Sequence, residues 1–115
     1  MSIISLTALL GGAWAQEVQM PALVIAEIEV TNPEAFSEYA PQVQSSFAPF
    51  GGRYLARGGT TQSLVGEAPK RVVVIVFENM ERAQAWYASP AYDKLKALRD
   101  RAGNARIFIV EGLKP

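Results

Sequence analysis

Residues 51–77 read GGRYLARGGTTQSLVGEAPKRVVVIVF, and they decide the fold. Two extended segments succeed one another here with no helix between them. In the first, alternation puts Arg53, Leu55 and Arg57 on one side of a strand and Tyr54 and Ala56 on the other. Glycine pairs bracket it at Gly51-Gly52 and Gly58-Gly59, where backbone turns sharply or passes close to another group. A bulge or bend is expected at the second pair, with the strand resuming across residues 62–65. Gly66-Glu67-Ala68-Pro69 then makes a turn. Arg71-Val72-Val73-Val74-Ile75-Val76-Phe77 is almost continuously apolar, as a central strand covered on both faces would be.

Upstream, Leu23-Val24-Ile25-Ala26-Glu27-Ile28-Glu29-Val30 is a further strand. Val24, Ala26, Ile28 and Val30 form its apolar face, and Leu23, Ile25, Glu27 and Glu29 a mixed one. Thr31-Asn32-Pro33-Glu34 starts a helix with a capping residue, an early proline and an early acid. That helix carries Phe36, Tyr39, Ala40, Val43 and Phe47 at helical spacing, and Pro41 inside it predicts a kink or break. Pro49 and Gly51-Gly52 end it. Downstream, Asn79 caps a helix bearing Ala83, Trp86 and Tyr87, and Ser89-Pro90 restarts it with Tyr92, Leu95, Leu98 and Arg99. Gly103-Asn104 closes that segment, and Arg106-Ile107-Phe108-Ile109-Val110-Glu111 is the last strand.

The order is β-α-β-β-α-β: an α+β, ferredoxin-like domain with a four-stranded antiparallel sheet and helices on one face. Residues 20–115 hold no repeat or linker and form a single domain. Helices on one face leave the other face of the sheet open, with Leu23, Ile25 and residues 72–77 supplying apolar surface. An open apolar face calls for a partner, most simply an identical subunit, so a homodimer through that face is expected.

Half of the residues are hydrophobic and the formal net charge is zero. That favours a packed core and argues against nucleic acid or an anionic membrane as partner. The charge is unevenly spread. Before Arg53 the chain has Glu17, Glu27, Glu29, Glu34 and Glu38 but no lysine or arginine. The acidic half either pairs with the basic half inside the fold, or the arginines form a positive site for a small anion. There is no cysteine and no histidine. Thiolate chemistry is excluded, and the commonest neutral-pH proton carrier, zinc ligand and haem ligand are missing. Carboxylates are scattered, so no metal site and no cofactor are expected.

Residues 1–15, MSIISLTALLGGAWA, stand apart in composition. Ala13-Trp14-Ala15 fits a small-x-small cleavage site after an apolar run too short to span a bilayer. The run lacks a positive n-region. It is expected to be a signal-peptide remnant, making the protein periplasmic or secreted and the mature chain free of a transmembrane segment. The alternative is an uncleaved arm of a cytoplasmic protein.

The strand with Thr31-Asn32-Pro33-Glu34, the glycine-arginine run of residues 51–59, Trp86-Tyr87-x-Ser89-Pro90-x-Tyr92, Leu98-Arg99 and Val110-Glu111-Gly112 come in an order and spacing that resembles the DUF1330 family. These are small bacterial domains of the dimeric α/β-barrel superfamily, and the likeness runs from about Ala22 to Gly112. It implies the ferredoxin-like fold, a dimer, and a pocket between sheet and helices. Superfamily relatives include cofactor-independent oxygenases, isomerases, lyases and haem proteins. Mechanisms that depend on histidine do not transfer to a chain without one.

Candidate site residues follow from chemistry. Arg57 and Arg53 suit a carboxylate, enolate or phosphate, or else pair with Glu27, Glu29 or Glu78 across strands. Glu27 in an apolar cavity would have a raised pKa and act as a base; on a solvated face it would do neither. Trp86, Tyr87 and Tyr92 either wall a ligand pocket, with Tyr54 beside the arginines, or fasten the helices to the sheet. Ser89 is a helix cap. Arg99 falls two helical turns after Tyr92, so the two share a face. The expected function is a small-molecule pocket protein with Glu27 and Arg57 catalytic and Arg53, Tyr54, Trp86, Tyr92 and Arg99 binding. Its chemistry would be cofactor-independent, of oxygenase, isomerase or lyase type, on a small oxygenated or aromatic anion. The alternatives are a non-catalytic ligand-binding protein and a structural dimer that binds a protein partner.

Overall fold

The computed structural model describes residues 19–115; the expectations for residues 1–15 lie outside them. Strand β1 (Ala22–Val30) leads into helix α1 (Pro33–Phe47) and a short 3-10 turn, Ala48–Phe50. Strands β2 (Arg53–Arg57) and β3 (Arg71–Phe77) follow, then helices α2 (Met80–Tyr87) and α3 (Pro90–Ala102) and strand β4 (Gly103–Glu111). The sheet runs β2-β3-β1-β4 with every pairing antiparallel, so the fold is α+β and ferredoxin-like. No helix among the described residues is long and apolar enough to cross a membrane.

Local chemistry sets the helix boundaries. Asn32 Oδ1 accepts from Ala35 N at 3.1 Å, Asn79 Oδ1 from Arg82 N at 2.8 Å, and Ser89 Oγ from Tyr92 N at 3.2 Å. Each cap satisfies an amide that the first turn leaves without a partner. Helix α1 passes through Pro41 without a break, so the expected interruption is absent. Strand β4 starts three residues earlier than expected, directly from the end of α3. Gly103 permits this switch, because a Cβ there would run into the backbone carbonyl of Glu29 on β1.

Two features of the β2–β3 hairpin differ from the sequence expectation. Residues 62–65 form no strand; Leu64 and Val65 are 87% and 95% exposed in the loop between β2 and β3. With no strand beside them, they have no ladder to join. The irregularity expected at Gly58-Gly59 falls instead inside β2. Arg53 pairs with Val76 and Tyr54 with Ile75, but Ala56 rather than Leu55 pairs with Val74, and Arg57 pairs with Val73. Leu55 is the extra residue of a bulge, and it inverts the alternation beyond it.

The core lies between the sheet and the three helices. Val24, Ile28, Ile75 and Phe77 project from the sheet onto Phe47, Trp86, Tyr92 and Leu95 of the helical layer. Trp86 and Tyr92 sit with ring centroids 4.5 Å apart, and Phe77 stacks on Trp86 at 5.5 Å. The indole Nε1 donates to Ser46 Oγ at 3.0 Å, so the large ring is buried without an orphaned donor. Among the described residues no helix covers the opposite face of the sheet. There the register brings Leu23, Ile25, Val74 and Val76 alongside Phe108 and Val110, which are 40% and 43% exposed.

Candidate functional site

A cavity of about 60 Å3 lies between the sheet and the helices. Its floor is apolar: Val24, Ala26 and Ile28 from β1, Val73 and Ile75 from β3, and Ile107 from β4. Phe36, Tyr39 and Val43 of α1 close it on one side, and Trp86 of α2 and Tyr92 of α3 on another. The charged members of the lining are Arg57, Arg71 and Arg99, and among the described residues it contains no carboxylate.

The bulge at Leu55 determines which arginine of β2 reaches this cavity. With strict alternation Arg53 and Arg57 would share a face. The extra residue instead puts Arg57 on the same side as Tyr54, and its guanidinium lies 4.9 Å from the Tyr54 ring centroid. Arg53 stays on the other side, in an open groove with Val76 and Glu78. Arg71 opens β3 in phase with Val73 and Ile75, and its guanidinium lies 5.0 Å from the Phe36 ring centroid. The Arg71 Nε is buried and meets no hydrogen-bond partner among the described residues.

At the helical side the polar groups are connected. The hydroxyls of Tyr39 and Tyr92 are 2.7 Å apart, and Arg99 Nη1 donates to the hydroxyls of Tyr92 at 3.3 Å and Tyr87 at 3.1 Å. Arg99 also donates from Nε and Nη2 to Asp100. Burial, helped by the neighbouring Tyr92 hydroxyl, pushes the Tyr39 hydroxyl well above the ordinary tyrosine pKa. Burial also raises Tyr54, while Arg57 pulls it back. For Arg99 burial opposes the charge, but its bonds to Tyr87 and Tyr92 outweigh it and raise the pKa further. Tyr39 is therefore a neutral hydroxyl and Arg99 a fixed cation at physiological pH.

The structure brings Arg57, Tyr54, Trp86, Tyr92 and Arg99 to one cavity and leaves out two other candidates. Glu27 alternates with Ala26 and Ile28 and so faces the open side of the sheet, beside Glu29, Glu67, Lys70 and Arg106. Arg53 is removed by the bulge. The cross-strand ion pairs expected for Arg53 and Arg57 are also missing among the described residues. The two ion pairs there, Lys96–Asp93 and Arg99–Asp100, both lie within α3. Arg71 and Tyr39 were not singled out from the sequence. The signal for Arg71 was its phase with Val73, Ile75 and Phe77, and for Tyr39 its helical spacing with Phe36 and Val43.

The family model described as a domain of unknown function, DUF1330, matches residues 21–113. The chain belongs to the DUF1330 family. The match covers the whole sheet and all three helices, including every residue of the cavity lining. No curated protein matches the sequence. Among solved structures, this DUF1330 domain is similar to RPA0582, a protein of unknown function from Rhodopseudomonas palustris. The two are 18% identical over 94% of each chain, with a TM-score of 0.66. It is also similar to SnoaB, a cofactor-independent oxygenase from Streptomyces nogalater, at 10% identity and a TM-score of 0.61 over 84% of this chain and 96% of that one. A dimeric ferredoxin-like protein of unknown function from Thermobifida fusca is 13% identical, with a TM-score of 0.54 over 82% of this chain and 92% of that one. At these identities the likeness establishes the fold.

Proposed function

We propose that the cavity binds a small oxygenated organic anion. The observation that carries this reading is that Arg57, Arg71 and Arg99 line one apolar cavity whose lining, among the described residues, contains no carboxylate. The buried Nε of Arg71 meets no acceptor among the described residues, which is costly unless one reaches it, and a ligand oxygen would be that acceptor. The tyrosine hydroxyls add neutral donors that can orient the ligand. The same donors would stabilise an enolate, which is how a cofactor-independent enzyme could use the site. The SnoaB fold, described for a cofactor-independent oxygenase, supports that version. Glu27 has no part in it, because it faces the other side of the sheet. With neither a carboxylate nor a histidine in the lining, the substrate would have to arrive already ionised or lose its proton to solvent.

We also infer that the apolar outer face of the sheet pairs with a second copy of the chain. The Thermobifida fusca neighbour, described as dimeric, favours this arrangement. Binding is tested by native mass spectrometry of protein purified under mild conditions, alongside titration with carboxylates and phosphate. A co-purifying small anion or saturable binding is the expected result. A chain that carries nothing and binds neither probe would overturn the anion reading. Turnover of an identified ligand would then separate an enzyme from a receptor.

A further inference from the structure

The three arginines of the cavity are not equivalent. Arg99 already donates to Tyr87, Tyr92 and Asp100. Arg57 and Arg71 have no carboxylate partner among the described residues, and the buried Nε of Arg71 donates to nothing. Each of these two guanidiniums lies against an aromatic ring, Arg57 on Tyr54 and Arg71 on Phe36. Stacking occupies the face of a guanidinium and leaves its N–H edge free. The pair is also close in the sheet. Arg57 is registered opposite Val73, two residues from Arg71 on the same face, which makes the arginines diagonal neighbours. Gly58 makes room for the arrangement: it adopts φ +64°, and a Cβ there would collide with the Arg71 guanidinium.

We propose that Arg71, together with Arg57, takes the charge of the ligand, and that the ligand is a carboxylate whose small apolar tail lies in the cavity. This rests on the reading of the cavity as an anion site. Two free N–H edges match the two oxygens of a carboxylate. The interior beyond them is apolar, with Val24, Ile28, Val73 and Ile75 as a floor for a carbon tail. Inorganic phosphate would bring more charge and no apolar tail, so it forgoes the floor of Val73 and Ile75.

The test uses the full chain, 15N-labelled, with the arginine Nε–H signals assigned through Arg71→Lys and Arg57→Lys. It is titrated with acetate, propionate, butyrate and phosphate. The Arg71 Nε–H signal should move on binding while that of Arg99 stays in place. Affinity should rise by about fourfold per added methylene from acetate to butyrate. Phosphate should bind more weakly than butyrate. Arg71→Gln should weaken butyrate at least about tenfold, the loss of a charged hydrogen bond. Arg57→Gln, at an exposed position, should weaken it less and leave the fold intact. Should Arg71→Gln fail to fold, Arg57→Gln and the Arg71 signal in the wild-type chain decide the matter. Carboxylate binding that moves Arg99 and not Arg71, or that ignores both substitutions, overturns the assignment while leaving the anion site standing. Tighter binding of phosphate overturns the ligand class. Absence of binding by every probe overturns this inference and the anion reading together.

Discussion

Tyr39 is a phenol held in its neutral form by its surroundings. Its hydroxyl is buried between α1 and α3, shares a hydrogen bond with Tyr92, and has a pKa raised above the ordinary value of 10.0. In the unfolded chain the same phenol ionises near pH 10. Above that pH the unfolded state has lost a proton that the folded state keeps, so stability falls as pH rises. Below it the contribution is fully present. Urea melts should therefore show constant stability from Tyr39 up to about pH 10 and a decline beyond, at most about 1.4 kcal/mol per pH unit for this one group. Tyr39→Phe should flatten that limb, leaving the smaller part due to Tyr54, whose pKa is raised as well. An unchanged alkaline slope in Tyr39→Phe would mean that the hydroxyl is not protected as described. The residue scale was partly legible in the sequence. Arg57, Tyr92 and Arg99 stood out by type and spacing. Arg71 did not, because a charged residue at the start of an apolar strand reads as its solvent-exposed end.

At the scale of elements, the caps and the periodicities place the strands and helices, and the Ser89-Pro90 break does most to position the site. Ser89 Oγ accepts from Tyr92 N and donates to the carbonyl of Trp86, so one buried hydroxyl joins α2 to α3 and orients both aromatic residues. Ser89→Ala removes the cap and leaves the Tyr92 amide without its side-chain acceptor. The expected cost is about 1–2 kcal/mol, read as a lower urea midpoint with an unchanged slope. A substitution that costs nothing would show that the aromatic packing alone holds the junction. The bulge in β2 was not legible. Glycines announce places where the backbone can bend, and Gly58 does turn, but the extra residue is Leu55. Where an extra residue falls is decided by the register of β2 against β3. That register depends on the partner strand and on the length of the exposed loop, neither of which the local pattern of β2 encodes. One residue of register moved Arg57 into the cavity and separated it from Arg53.

For the whole molecule, the order of elements determined which face of the sheet the helices cover, and so which face stays open. The alternation along β1 and β3 then identifies the surface: Leu23 and Ile25 beside Val72, Val74 and Val76, continued by Phe108 and Val110 of β4. Val74 lies in the middle of it, registered between Ile25 of β1 and Ala56 of β2. If a second copy covers this face, a lysine at position 74 would carry a charge into an apolar contact, at a cost of several kcal/mol to association. In the separate subunit the same lysine would sit on a solvated strand face and disturb little. Light scattering should therefore give twice the chain mass for the wild type and the chain mass for Val74→Lys, with the same circular dichroism spectrum and a similar urea midpoint at low concentration. A wild-type chain that scatters as a monomer would remove the second copy from this face. A Val74→Lys chain that remains a dimer would place the contact elsewhere on the molecule. The cavity lies on the opposite side of the sheet, so dissociation through Val74→Lys should leave its carboxylate affinity unchanged.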